Sequence, residues 1–126
     1  MPENKRIPYA VWKVGDEEYK LKLTTAAITK LEQEFKTNLL NILMNQSMPS
    51  LFVMLKIAHS AMQKFNHGIK EKEVQELFDQ YLEDGGSQTE FLTDVILPTF
   101  QASGFFSVGM EEQMKDQLLE AKEQMI

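Results

Sequence analysis

Apolar and polar positions alternate near the start of the chain in a way that predicts a β-hairpin. Tyr19, Leu21 and Leu23 are separated by lysines, which is the period-2 pattern of a strand that buries one face. A Gly-Asp dipeptide at residues 15–16 separates this run from an earlier apolar run, and such dipeptides are typical of hairpin turns. We therefore expect a hairpin over about residues 9–23.

Helical spacing begins directly after the predicted hairpin. Thr24 or Thr25 can cap a first helix, because a threonine hydroxyl there accepts a backbone N–H that has no partner within the helix. This helix is expected to end near Phe35. A short apolar turn follows it and is predicted to be core; its apolar residues are Leu39, Leu40, Ile42 and Leu43.

The next segment predicts a long central helix that opens after Ser47 and Pro49. Its apolar residues recur at alternating steps of four and three, so that they share one face. That stripe consists of Leu51, Leu55, Ala58, Met62 and Phe65. The chain has eight methionines, and most of them are interpreted as core packing. The methionines placed in the core are Met44, Met48, Met54 and Met62.

Two further helices are predicted after the central one. The first carries an amphipathic stripe from Val74 to Leu82 and ends at a pair of glycines. Ser87 and Glu90 have the spacing of a capping box at the start of the second. Pro98 lacks a backbone donor, so we expect a kink in this last helix. The predicted fold class is mainly α, with an N-terminal β-hairpin followed by a compact bundle of about five or six helices.

The C-terminal segment differs in character from the rest of the chain. We therefore expect one globular domain at residues 1–106, with its helices over about residues 25–103, and an amphipathic, mobile helix at residues 107–126. A narrow apolar stripe in this helix is the candidate partner-binding site; it consists of Met110, Met114, Leu118, Ala121 and Met125. Two interpretations stay open. The helix either folds back weakly onto the domain, or it binds a partner, to which flexible methionine side chains are well suited.

Composition and charge narrow the class of protein. The chain has 126 residues, which fits one domain, and its lack of cysteine excludes disulfides and Cys-ligated zinc. The net charge of -6 disfavours a nucleic-acid partner. The first ten residues lack the apolar core of a signal peptide, and no apolar run is long enough to span a bilayer. We therefore expect a cytoplasmic protein without membrane contact.

No residue pattern in the sequence predicts catalysis, a metal or a cofactor. His59 and His67 are the two histidines, and no carboxylate lies between them at a metal-ligand spacing. The acidic stretch 79–90 has the length of a calcium loop, but Tyr81 takes a ligand position and Asp84 replaces the required glycine. The serines lack a nucleophile elbow and a neighbouring His and Asp. We expect no enzyme activity, no cofactor and no metal site.

Several short motifs in the chain share a pattern with a known family. They begin with the string Val-Gly-Asp-Glu-Glu-Tyr-Lys-Leu-Lys-Leu-Thr-Thr at residues 14–25 and continue through Leu31-Glu32 and Leu39-Leu40. They extend to the Pro-Ser-Leu opening of the long helix at residues 49–51 and to residues 70–74. Together these motifs cover most of the chain, which resembles the small tail assembly chaperones of long-tailed bacteriophages and prophages.

This resemblance implies a non-enzymatic assembly factor. Such a chaperone binds the long tape measure protein, keeps its hydrophobic helices soluble and helps to recruit tail tube subunits. The resemblance also implies contact with the tail tube protein through a longer, frameshifted form, and self-association is a further expectation. The implied site of action is the cytoplasm of the bacterial host, and the protein is not expected in the mature virion.

Two other functions stay open. The chain fits a small structural or head-to-tail adaptor protein of the phage particle, which would also be acidic, helical and without chemistry. It fits less well a helical regulator that binds DNA or a host protein, because it lacks a basic recognition helix.

Overall fold

A small antiparallel hairpin precedes five helices in the part of the chain that the computed structural model describes, residues 6–44 and 48–107. The protein is therefore mostly α with a small β-hairpin, as the sequence predicts. The elements are β1 (Ala10–Val14), β2 (Glu17–Leu21), α1 (Thr25–Phe35), α2 (Leu39–Met44), α3 (Leu51–Met62), α4 (Glu71–Glu83) and α5 (residues 88–102). The predicted C-terminal helix, apart from its first residue, lies outside the described residues.

The hairpin buries the face that its alternation predicts. β1 and β2 pair in antiparallel register with Trp12 opposite Tyr19 and Ala10 opposite Leu21. Leu21 has no exposed surface, and Tyr19 is half-buried. Gly15 has φ +61°, a left-handed conformation that glycine adopts without strain in such a turn. The predicted buried face and the predicted turn are both confirmed.

Three hydrogen bonds fix the end of β2 between α3 and α5. The Lys22 N–H donates to the Ala61 carbonyl of α3 at 3.0 Å. The next N–H, of Leu23, donates to the Ser103 hydroxyl at 2.9 Å, and that hydroxyl donates to the Thr99 carbonyl of α5 at 2.6 Å. We call the two hydrogen bonds of this hydroxyl the Ser103 joint. They link the hairpin to α5 across 80 positions of sequence.

Side chains cap the first turns of both α1 and α2. Of the two threonines that could cap α1, Thr24 does so by accepting the Ala27 N–H at 3.1 Å. The helix ends at Lys36, whose φ of 57° places it in the left-handed region. Glu32 accepts the Leu39 N–H at 3.0 Å and so caps the start of α2. The path of the chain into α2 thus depends on a carboxylate and on a lysine in a conformation that favours glycine.

Pro98 lies inside α5 and does not end it. The helix consists of an α-helical turn at Gln88–Phe91, a π-helical turn at Leu92–Ile96 and a second α-helical segment at Leu97–Ala102. Proline cannot donate to the carbonyl four residues earlier, and the wider π turn lets the helix continue past it. The kink predicted at this proline stays a prediction, and what the structure shows is a π-helical turn before Pro98 within a continuous helix.

The core is centred on Trp12, whose indole lies where the hairpin meets α4 and α5. The centroid of its ring system is 4.9 Å from that of Phe91, 5.9 Å from that of Tyr81 and 6.5 Å from that of Tyr19. Phe78 adds an edge-on contact to Phe91 at 5.1 Å. Only 1% of Trp12 is exposed, and aromatic side chains of this size contribute strongly to core stability. This aromatic cluster holds the hairpin against the helices.

We expect Ser103→Ala to lower the free energy of unfolding by about 1–3 kcal/mol, because the Leu23 N–H would lose its acceptor in a buried position. Chemical denaturation followed by circular dichroism measures the change. Ser60→Ala on α3 is the matched control, since the Ser60 hydroxyl forms no hydrogen bond with the described residues. Equal stability of the two variants would show that the Ser103 joint is dispensable.

We expect Lys36→Gly to raise the free energy of unfolding by about 0.5–1 kcal/mol, because glycine reaches the left-handed conformation without a Cβ penalty. Lys36→Ala removes the same charge but keeps the Cβ atom, so it should bring no such gain. Thermal and chemical denaturation of both variants test this. A gain of the same size in Lys36→Ala would assign the effect to charge.

Candidate interaction surfaces

An uncharged stretch of sequence covers α2 and the start of α3. None of residues 37–55 is charged, although charged residues make up 25% of the chain. A second uncharged stretch spans residues 95–110. In its described part most of the apolar side chains are buried, and this burial explains the absence of charge there. Among the described members of residues 37–55, only Leu39 and Met54 are buried. Burial therefore does not explain the absence of charge there.

Four large apolar side chains in this stretch are exposed to solvent. Leu40 and Met44 lie one turn apart on α2, with exposed fractions of 38% and 67%. Met48 precedes α3 and Phe52 lies in its first turn, with exposed fractions of 42% and 65%. We call these four residues the α2–α3 apolar surface. Methionine and aromatic side chains without neighbouring charges are enriched in protein–protein interfaces.

The sequence places three members of this surface in the core, and that prediction is wrong. α2 has only six residues, and it buries Leu39 fully and Ile42 and Leu43 in part. A short helix cannot bury all of its apolar residues when they point in different directions around its axis. The residues predicted to be core but found exposed are Leu40, Met44 and Met48.

α3 has one buried face and an outer face that carries Phe52. Met54 and Met62 are fully buried, as predicted. Phe52 lies outside the apolar stripe predicted for this helix and one turn before Lys56. This spacing from a charged residue is the sequence signal that could have predicted the exposure of Phe52. α3 ends at Met62, so Phe65, which the sequence assigns to the helix stripe, lies beyond the helix and is 40% exposed.

Lys56 borders the α2–α3 apolar surface and is already paired. Its Nζ lies 5.7 Å from the centroid of the Phe52 ring and 2.7 Å from Oε1 of Glu71. The hydrogen bond between the two charged side chains raises the pKa of Lys56 and lowers the pKa of Glu71. Both side chains reach solvent, so the pair adds little to the free energy of unfolding. Its effect is to hold the lysine at the rim of the surface with its charge balanced.

His59 has a structural role in the loop between α3 and α4. Its Nε2 lies 2.8 Å from the Ile69 carbonyl oxygen, which can only accept, so the proton is assigned to Nε2. The Gln63 side-chain amide donates to the same carbonyl at 3.0 Å. His67 is exposed in this loop, next to Gly68 with φ +83°. The two histidines therefore have different surroundings and do not form one site.

The described part of the chain presents no arrangement for metal chemistry. No three His, Cys, Asp or Glu side chains within residues 6–44 and 48–107 are grouped so that they could hold a metal ion. A groove of about 400 Å³ between α1 and α3 has side chains of both signs on its walls, including Lys30, Lys64 and Glu34. Among the helices described, none is both long and apolar enough to cross a bilayer.

Tyr81 is the tyrosine whose ionisation the fold changes most clearly. Burial, and to a lesser extent the Glu90 and Asp94 carboxylates, raise the pKa of Tyr81 to about 12. Its ring packs directly against Gly86, where a Cβ atom would lie 2.5 Å from two ring carbons. The absence of a side chain at residue 86 therefore lets the ring enter the aromatic cluster around Trp12.

The partner-binding residues predicted from the sequence lie outside the described residues. They are Met110, Met114, Leu118, Ala121 and Met125. The structure thus adds a different candidate site, the α2–α3 apolar surface, and does not describe the predicted one.

Comparison with known proteins places the chain in a family. It belongs to the family of unknown function DUF6096, whose model matches residues 6–125. The match spans the hairpin, the five described helices and nearly all of the C-terminal segment. No curated protein matches the chain, and no solved structure does.

We expect the contribution of Tyr81 to stability to be complete below about pH 10 and to be lost as the pH rises through about 12, because the fold favours its neutral phenol. Phenolate absorbance during a pH titration should contain a component near pH 12 that Tyr81→Phe removes. A titration curve that is unchanged by this substitution would contradict the assignment.

Proposed function

We propose that this protein is a non-enzymatic phage tail assembly chaperone that binds the tape measure protein, keeps it soluble and assists the recruitment of tail tube subunits. The observation that carries the proposal is the α2–α3 apolar surface, which leaves two methionines, a leucine and a phenylalanine in contact with water. The resemblance to tail assembly chaperones over residues 14–25, 49–51 and 70–74 indicates the tape measure protein as the partner of this surface.

The chemistry of the surface suits a chaperone for long apolar helices. Exposed apolar patches rimmed by polar residues mark interaction sites, and Met44 and Met48 can adapt to partners of irregular shape. Because residues 37–55 carry no charge, contact with an apolar helix requires no desolvation of an unpaired ion. The remaining surface carries the net charge of -6, which keeps many copies soluble around one long partner.

The C-terminal stripe from Met110 to Met125 provides a second contact in this proposal, either with the tape measure protein or with another copy of the chaperone. Tail tube subunits are recruited through a longer, frameshifted form of the protein. The chaperone acts in the cytoplasm of the bacterial host and leaves before the virion is complete.

A structural role in the phage particle, such as a head-to-tail adaptor, is the second candidate. The same apolar surface supports it, because permanent interfaces are more hydrophobic than transient ones. Mass spectrometry of purified virions separates the two functions. Stoichiometric amounts in the virion would favour the adaptor, and absence would favour the chaperone.

We expect co-expression with this protein to keep fragments of the cognate tape measure protein soluble, and Phe52→Lys to reduce the soluble yield several-fold, because the new charge would be buried in the contact. Leu82→Lys is the matched control, since Leu82 is 42% exposed on α4, outside the α2–α3 apolar surface. Soluble yield and pull-down from the same lysates provide the readout.

Two results would contradict this expectation in different ways. Equal losses in Phe52→Lys and Leu82→Lys would exclude the α2–α3 apolar surface as the binding site. Failure of the folded, unsubstituted protein to recover any tape measure fragment would exclude the proposed function itself.

A further inference from the structure

Charge is divided unevenly along the described chain. Residues 6–72 contain ten lysine and arginine residues and six acidic residues, whereas residues 73–107 contain seven acidic residues and no lysine or arginine. The second range covers most of α4 and all of α5, so these helices carry the negative charge and the elements before them carry the positive charge. A chain with its charges separated in this way offers surfaces of opposite sign.

Two lysines and two aromatic rings form a continuous surface on the hairpin and at the end of α3. The Nζ atom of Lys20 lies 4.7 Å from the centroid of the Tyr9 ring. The Tyr9 ring meets the Phe65 ring edge-on with a centroid separation of 5.6 Å, and Nζ of Lys64 lies 6.0 Å from the centroid of Phe65. Val11 is opposite Lys20 in the strand register and is 42% exposed. We call these five residues the Tyr9–Phe65 surface.

The cations of the Tyr9–Phe65 surface are not neutralised by the described residues. Lys20 and Lys64 are exposed, and neither forms a salt bridge within the described part of the chain. The acidic residues of the hairpin lie at and next to its turn, at residues 16–18. A carboxylate from outside can therefore pair with either ammonium group without breaking an ion pair, and the exposed Phe65 and Val11 side chains add apolar contact.

α4 presents the complementary charge on its exposed side. Glu76, Asp79 and Glu83 are spaced by three and four residues, so they lie on one side of the helix. All three are exposed, and none of them forms a salt bridge or a hydrogen bond with another described residue. They span about 10 Å along the helix axis, an extent that the contacts from Lys20 to Lys64 can match. We call these three residues the acidic α4 face.

We propose that the Tyr9–Phe65 surface of one copy of this protein binds the acidic α4 face of a second copy. Every copy supplies both surfaces, and within one described chain they form no salt bridge with each other, so each is available to another copy. The contact is head-to-tail, because a copy that uses its lysines keeps its own acidic face free. Association therefore continues beyond two copies. This inference does not depend on the proposed function, and purified protein alone tests it.

Sedimentation velocity of the full-length protein at low and high salt provides the first test. At about 50 mM salt we expect species larger than the 14.6-kDa monomer, in proportions that rise with protein concentration. At about 500 mM salt we expect association to weaken at least about ten-fold, because exposed ion pairs are screened. A protein that stays monomeric at low salt up to its solubility limit, or that associates equally at both salt concentrations, would overturn the proposal.

Charge reversal identifies the two surfaces. The lysine pair, Lys20→Glu with Lys64→Glu, should weaken association at least about ten-fold at low salt. The α4 pair, Glu76→Lys with Asp79→Lys, should weaken it as much, although it makes the protein less negative and so reduces the general repulsion between copies. A variant with all four substitutions restores opposite charges across the contact. Its association should return to within about three-fold of that of the unsubstituted protein.

A matched control separates this contact from the effect of net charge. Lys36→Glu combined with Lys70→Glu changes the net charge as much as the lysine pair does, at exposed positions outside both surfaces, and should leave association within about two-fold of the unsubstituted value. Circular dichroism confirms that each variant is folded. Lys20→Gln with Lys64→Gln removes the two charges without reversing them, and it provides a milder variant if the reversal disturbs the hairpin.

Three results with these variants would overturn the proposal. Equal losses in the control and in the lysine pair would assign the effect to net charge. Full association of the α4 pair would show that the lysines contact a different acidic surface or an acidic partner of another kind. Failure of the folded four-fold variant to recover association would show that the two surfaces do not face each other.

Discussion

The fold is organised around the packing of Trp12 against α4 and α5, because these contacts hold the hairpin against the helices. A hairpin of two five-residue strands is marginally stable alone, so its stability comes from what its inner face contacts. Trp12 contacts rings from both helices, and its buried Nε1 has no hydrogen-bond partner among the described residues. An unpaired N–H is costly, and burial of the large indole offsets that cost. The Ser103 joint then fixes the register of the hairpin against α5.

This arrangement decides which apolar side chains remain outside. α3 packs against α4, β2 and α5, and Phe52 and Lys56 lie at the edge of this packing near the start of α4, where Lys56 pairs with Glu71. Leu40 and Met44 on α2 and Phe52 on α3 stay in contact with water. The family has no assigned function, so the proposed function rests on these exposed residues and on the resemblance of the sequence motifs.

Charge is distributed unevenly around the exposed apolar side chains. The α2–α3 apolar surface belongs to a stretch without charged residues, which suits a contact with an apolar helix. On the hairpin, in contrast, Val11 lies opposite Lys20, whose Nζ is 4.7 Å from the centroid of the Tyr9 ring.

Local sequence patterns were enough to predict the features that depend on neighbouring residues. The hairpin with its Gly15 turn, the Thr24 cap and the burial of Leu21 follow from local patterns, because strand alternation and helix capping are set within a few residues. For the candidate sites, the sequence supplied the C-terminal stripe but placed Met44 and Met48 in the core.

Which side of each helix contacts a neighbour could not be read from local patterns. Periodicity shows that apolar residues share a face, but it does not show whether another element lies over that face. That is why the exposure of Phe52 and Phe65 and the Ser103 joint came from the fold. Each depends on contacts between elements far apart in the chain, and those contacts exist only once the hairpin has packed on α3, α4 and α5.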